Sequence, residues 1–522
     1  MTGVVALTCL AVRRSRLFIV VWTVALVAMV YASATATDGL YSTTAERIAA
    51  AKTINASPAV VALYGPILDL TSRGELAMTK MTVTYAVLVM VFAVTLVRRH
   101  TRVEEESGRA ELVGSLAVDR SAPVLSAVAV GTVASLLVGV LAGLADIAGG
   151  LPVAGSLWFG ASWTAIGLVA TGIAAVAAQM SASSRTSGAI AAATIAALFV
   201  LRALGDTTSA SWLSWLSPLG WSTRLRAWSD PRLWVLGLDL AVAVLLVGAA
   251  LVLRHRRDLG SGLLQPRPGP SHGSPRLRSV FALTVRMQMP SLVVWTVACA
   301  VMGVLLAAII PNVGSLVDSP GTREIFDRLG GAGGLHQTLM AAFVSIEAVV
   351  ISGYAASVIA HGGSDEHDGR TEEILATAQS KSATFAALAL VALGGTVWLL
   401  AVTGVALALG ATGADIGFGE AVTATLAYTP ATAVVAGLAL TALAMGSRFA
   451  VAGWGVIVGA AMVGPIAEML GLPGWVSGLS PYSHVPKLPA EGVRWAPLLV
   501  LTAIAAVLIA SAARRYRMRD VG

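Results

Sequence analysis

Two short charged segments are where residue types and spacing suggest chemistry. One reads Glu104-Glu105-Glu106-Ser107-Gly108-Arg109-Ala110-Glu111, the other Asp365-Glu366-His367-Asp368-Gly369-Arg370-Thr371-Glu372, and they align without gaps at an offset of 261 residues. Acids and an arginine this dense suit a polar docking surface. Glu105 with Arg109, and Glu366 with Arg370, stand at i and i+4, so each pair is expected to bridge along one face of a short surface helix, worth a few tenths of a kcal/mol. Gly108 and Gly369 weaken such a helix by about 1 kcal/mol relative to Ala, which predicts a bend or the close approach of a partner backbone. The competing reading is a solvated loop; the duplication of the Gly-Arg pair with its acids argues against it.

Other chemistry is poorly provided for. A phosphate-binding loop needs Gly-Lys-Ser/Thr so that backbone amides cradle the phosphates; Lys52 and Lys381 precede Thr and Ser, but Ala51 and Ser380 stand before them. No nucleotide site is recognisable, and the chain is not expected to be an enzyme. His336, His361, His367 and His484 lack a metal-site spacing such as HExxH and no GxSxG elbow occurs, so neither a resident metal nor a lipid-modifying centre is expected. Two carboxylates interrupt apolar runs: Glu347, in the middle of the eighth, and Asp239, nearer the outer end of the sixth. Both are candidates for a substrate path, and Glu347 serves equally as a helix-packing hydrogen bond.

The elements that must position these groups are membrane helices. The 522 residues are 56% hydrophobic and 12% charged, and the apolar residues come in blocks of the roughly 20 residues that cross a bilayer. Spans are predicted near 17–36, 77–97, 122–145, 157–180, 187–204 and 233–253, then 290–310, 338–360, 383–409, 420–445, 450–470 and 495–512. The expected fold is therefore an all-α integral membrane protein of about twelve helices. Arg98–Arg99, Arg254/Arg256/Arg257 and Arg514/Arg515/Arg517/Arg519 abut helix ends on one side, which places both termini in the cytoplasm. The basic stretches Thr8–Arg16 and Arg276–Gln288 are expected as amphipathic elbows before each half's first span. Trp212, Trp215, Trp221, Trp228 and Trp234 mark an outer interfacial segment. Cys9 and Cys299 give no disulfide framework.

The halves repeat in order. Val20-Val21-Trp22-Thr23-Val24-Ala25 returns as Val293-Val294-Trp295-Thr296-Val297-Ala298, Ser57-Pro58 as Ser319-Pro320, and Trp212-x-Ser214-x-Leu216-Ser217-Pro218 as Trp475-x-Ser477-x-Leu479-Ser480-Pro481. Six spans per half insert both copies the same way up, so the expectation is two parallel six-helix repeats, residues 1–258 and 280–522, joined by a cytoplasmic Pro/Gly/Ser linker at 259–279. The Ser-Pro pairs read as helix starts in outer loops that form a gate.

The acidic Gly-Arg-x-Glu segments, the Ser-Pro of the outer loop, the Arg257-Asp258-Leu259-Gly260-Ser261-Gly262 run and the duplication together resemble the fused ABC-2-type permeases of actinobacterial antibiotic exporters, including those for polyketides such as tetronasin. The resemblance spans nearly the whole chain. It implies a permease in the bacterial plasma (inner) membrane, energised by two copies of a separate ATPase subunit that binds ATP and Mg2+, exporting hydrophobic or amphiphilic compounds, with no nucleic-acid partner. It also implies that the acidic segments are coupling helices, with Glu104, Glu105, Gly108, Arg109, Glu111, Asp365, Glu366, Gly369, Arg370 and Glu372 as contacts. His367 and Thr371 depart from the first copy, so the two docking sites are not expected to be equivalent. The alternative is a proton- or ion-coupled secondary drug transporter using Glu347 or Asp239, although neither acid has a counterpart in the other half.

Overall fold

The chain begins with α1, Val4–Leu40, a single helix of 37 residues and thus about 55 Å long, well beyond the ~30 Å hydrocarbon layer. Thr8–Arg16 is therefore not an elbow set before the first span: no helix breaker separates it, and it continues the same rod. In this computed structural model, residues 2–41, 43–258, 260–264, 271–274, 277–309, 335–410, 417–469, 475 and 478–520 are described. They fall into two compact units, Met1–Gly269 and Pro270–Gly522.

In the first unit α1 is followed by α2 (Thr44–Ala56), α3 (Pro58–Tyr64), α4 (Arg73–Lys80), α5 (Ala86–Arg99), α6 (Arg102–Glu106), α7 (Arg109–Gly114), α8 (Ala122–Ala148), α9 (Val153–Met180), α10 (Ser184–Thr207), α11 (Pro218–Arg224) and α12 (Trp234–His255). A π-helical turn, Met81–Tyr85, joins α4 to α5, and Arg73–Glu106 forms one long membrane-length element. The second unit holds α13 (Val280–Ile309), α14 (Leu335–His367), α15 (Arg370–Leu375), α16 (Lys381–Gly410), α17 (Phe418–Leu426), α18 (Thr429–Met445), α19 (Ala452–Met469) and α20 (Trp495–Met518). α13 likewise runs unbroken through Pro290, so from Val280 onward the second expected elbow is part of the span too.

Among the described residues 11 helical stretches are long and apolar enough to cross a membrane, one fewer than the twelve expected. At the remaining predicted span, 450–470, the helix α19 runs Ala452–Met469, of which the part within Ser447–Ala461 counts as a shorter apolar helix among the described residues. The chain is thus an all-helical, multi-pass membrane protein. Its most enclosed spans, α9 in the first unit and α14 in the second, carry the small and aromatic residues of each core, while α1 and α13 turn valines such as Val20, Val21, Val293 and Val294 outward. Where α8 crosses α9 the backbones touch: a Cβ on Gly139 would lie 2.4 Å from the Gly160 carbonyl oxygen. Only glycine permits that approach, as in small-residue membrane packing.

Ser57 is the N-cap residue of α3 and Pro58 its first residue, yet the Ser57 hydroxyl makes no capping bond. α3 is fixed at its other end, where the fully buried Arg202 donates to the carbonyls of Val61 (3.2 Å), Ala62 and Leu63 (3.4 Å). The matching Ser319-Pro320 and the outer stretch Ser319–Leu329 lie outside the described residues, as do Pro266, Pro268, Pro270 and Pro275 of the linker. Of the five tryptophans, Trp212 and Trp234 are exposed, whereas Trp221 is buried and donates its indole N–H to the Trp215 carbonyl at 2.7 Å, and Trp228 packs on Phe159. Packing explains more of this cluster than an interfacial belt does.

Candidate functional site

Each acidic segment folds as helix, left-handed glycine, helix. Gly108 has φ 72 and Gly369 φ 77; the first separates α6 from α7 and the second separates α14 from α15. The single surface helix expected from the i,i+4 spacing is therefore broken, and neither Glu105–Arg109 nor Glu366–Arg370 forms. The αL glycine turns the chain so that the arginine meets the acid one residue earlier. Arg109 lies 3.4 Å from Glu104, and Arg370 lies 2.8 Å from both Asp365 and Asp368. Slight burial works against the Arg370 charge, but the carboxylates of Asp365 and Asp368 outweigh it and hold its pKa above the usual arginine value. Arg370 is cationic at every working pH.

The freed acids turn inward. Glu105 takes both ends of the Arg257 guanidinium, at 2.6 and 2.9 Å, and accepts from Arg102 at 2.7 Å. The Arg257 and Glu105 side chains are 2% and 9% exposed. Arg257 also donates to Gln179 Oε1 at 2.7 Å, and both arginines reach the Ser261 carbonyl. A bidentate, charge-assisted pair in a dry setting is geometrically specific. In the second unit Glu366 is held by Arg519 at 2.5 Å and, more loosely, by the Tyr516 hydroxyl at 3.4 Å. Arg257 follows α12 and Arg519 follows α20, the last helix of each unit. Each acidic segment is thus latched to the end of its own unit's final span by one buried glutamate.

The first latch recruits more of its unit. Ser184 N–H, at the start of α10, donates to Glu106 at 2.7 Å; Glu104 meets Arg14 of α1 at 2.8 Å. The chain beyond α12 is pinned beside the end of α9, with the N–H of Leu263 and Leu264 donating to the carbonyls of Gln179 (3.2 Å) and Met180 (2.7 Å). What stays outward is Arg109, Glu111 and Leu112 on α7, and Arg370, Glu372 and Glu373 on α15. Gly108 and Gly369 have nothing within 4 Å of where a Cβ would stand, so backbone conformation, not crowding, requires glycine.

The structure places the ten segment residues in two clusters, one per unit. Glu347 of α14 and Asp239 of α12 are buried within spans, away from both segments in sequence, at 5% and 3% exposure. Asp239 Oδ1 has no hydrogen-bond partner among the described residues. Sequence reasoning missed Asp146, which is fully buried on α8 with neither carboxylate oxygen bonded among the described residues; the span predicted at 122–145 ends one residue before it. It also missed Arg102 and Arg519 as partners, although Arg257 and Arg519 stand at matching places after their apolar runs. Among the described residues no group of three His, Cys, Asp or Glu is arranged to hold a metal.

The family model for the multidrug efflux system permease Rv1217c, C-terminal domain, matches residues 6–254 and 277–517. The multidrug efflux system permease protein Rv1217c of Mycobacterium tuberculosis (strain ATCC 25618 / H37Rv) is 36% identical over 528 residues, covering 100% of this chain and 95% of that protein. With apolar spans throughout and a match running over both units, the chain belongs to the Rv1217c family of multidrug efflux system permeases.

Proposed function

We infer that this protein is the permease subunit of an ATP-driven ABC exporter of the ABC-2 type, moving hydrophobic or amphiphilic compounds, antibiotics and drugs among them, out across the bacterial plasma membrane. Both termini lie in the cytoplasm. Energy comes from two copies of a separate ATPase subunit with ATP and Mg2+, docked on α6–α7 and on the end of α14 with α15. The observation that carries the reading is the latch: Glu105 on Arg257 and Glu366 on Arg519 make each acidic segment a handle fixed to a membrane helix. A push on such a handle moves the span instead of bending a loop. Ala- and Gly-rich contacts such as α8 on α9 let the spans slide.

The test is affinity purification of the tagged chain from its host in mild detergent, wild type against Arg109→Glu with Arg370→Glu. An ATPase that co-purifies with wild type and is lost from the double variant supports the reading; an intact permease with no ATPase overturns it. A second reading, proton-coupled drug transport, draws on the buried carboxylates Asp146, with neither oxygen bonded, and Asp239, with Oδ1 unbonded, among the described residues. Transport by the purified chain alone along a proton gradient, abolished by Asp146→Asn, would favour it.

A further inference from the structure

At the Glu105 end of the first unit, α1, the α5–α6 junction, α7 and the start of α8 line a half-open cleft with Arg254 of α12. Its apolar wall includes Leu7, Leu10, Ala110 and Val113. Arg14, Arg109, Arg254, Glu104 and Glu105 supply its charges. Both carboxylates are already engaged: Glu105 by Arg102 and Arg257, Glu104 by Arg14 and Arg109. Arg254 is left over. It is 2% exposed, has no carboxylate within ion-pair distance among the described residues, and makes one long hydrogen bond, 3.5 Å from Nη1 to the Arg257 carbonyl. A guanidinium buried this deeply without a counter-ion is costly.

The second unit shows that the latch does not need this cation. There the residue three before the latching arginine is Tyr516, neutral, with its hydroxyl on Glu366. The first unit has Arg254 in that place, facing an apolar cleft. An uncompensated cation above an apolar wall fits a molecule with an anionic head and a hydrocarbon tail. The cleft is lined at its edge by Leu10, 50% exposed on the same helix that turns Val5 and Leu17 outward. Arg254 sits in the last turn of the membrane-length helix α12, and helix ends of that length are where lipid headgroups meet a span.

We propose that this cleft binds an anionic phospholipid, its phosphate on Arg254 with Arg14 beside it, and an acyl chain along Leu7, Leu10 and Val113. The experiment uses the full chain purified in mild detergent and incubated with phosphatidylglycerol or phosphatidylcholine, with retained lipid read by native mass spectrometry. Wild type is expected to hold phosphatidylglycerol in preference to phosphatidylcholine. Arg254→Tyr, which installs the second unit's own residue, is expected to lower phosphatidylglycerol retention about fivefold, the effect of one arginine on an anionic lipid, and to leave phosphatidylcholine unchanged. Ala110→Trp narrows the cleft and leaves every charge in place; it is expected to lower retention as well, and it decides the matter if Arg254→Tyr does not yield folded protein. An unchanged lipid preference in a monodisperse variant overturns the proposal. So does full displacement of phosphatidylglycerol by millimolar inorganic phosphate, which would make the ligand a free anion.

Discussion

Glu105→Gln is the sharpest perturbation of the first latch, because it keeps shape and one acceptor while removing the charge. Glu105 accepts three charge-assisted bonds of 2.6 to 2.9 Å from two arginines that are 0% and 2% exposed. Breaking a buried pair by losing one partner costs about 3–5 kcal/mol. Here Arg257 keeps Gln179, both arginines keep the Ser261 carbonyl, and Gln still accepts one bond, so the expected loss is about 2–3 kcal/mol. Amide hydrogen exchange over residues 102–114 reports it directly, since local opening sets the rate. At about 1.4 kcal/mol per decade, exchange should quicken roughly 30- to 150-fold. Glu104→Gln is the control. Its partners Arg14 and Arg109 are 37% and 51% exposed, solvent screens them, and about twofold is expected. If Glu105→Gln changes exchange no more than Glu104→Gln does, the segment is not latched and the mechanical argument for coupling falls with it.

Gly108→Ala and Gly369→Ala meet no steric obstacle but must hold a positive φ, so each should cost about 1 kcal/mol, with Asn tolerated better, as read by exchange in the same segments. Gly160→Val forces α8 and α9 apart where the backbones touch; about 1–3 kcal/mol of overpacking should appear as a lower thermal midpoint in detergent. Arg202→Met removes the cation that caps α3 and leaves Asp206 with Ser214 and Arg224. A loss of about 3 kcal/mol is expected, seen as faster proteolysis within 57–72.

Spans were legible because length and hydropathy alone define them, and the acidic segments stood out because charge is rare in such a chain. The internal wiring of those segments was not legible. An i,i+4 argument presumes a continuous helix, and one residue at φ 72 or 77 redirects the arginine that follows it. Glu105 looked like the natural partner of Arg109, yet its partner stands 152 residues away at Arg257, a distance no local pattern reports. The elbows failed because basic residues do not break a helix; Arg13, Arg14 and Arg16 sit on α1 without interrupting it.

The two segments share a latch and differ in the face they present, which bears on how identical ATPase copies would engage them. Leu112 is 72% exposed and Leu116 66% exposed beside α7, whereas the matching positions in the second segment are Glu373 and Thr377, both exposed. On the proposed reading, a single kind of partner surface would therefore meet leucines at one site and an acid at the other. Burying a leucine side chain contributes about 1.5–3 kcal/mol, so the first segment should supply most of the affinity and the second mainly polar orientation. Leu112→Asp should then weaken ATPase binding tenfold or more, while Glu373→Leu should leave it equal or stronger, with both measured by titrating the purified ATPase onto detergent-solubilised permease. Equal weakening by the two substitutions would mean that the sites contribute alike, and that Leu112 faces lipid instead of the partner.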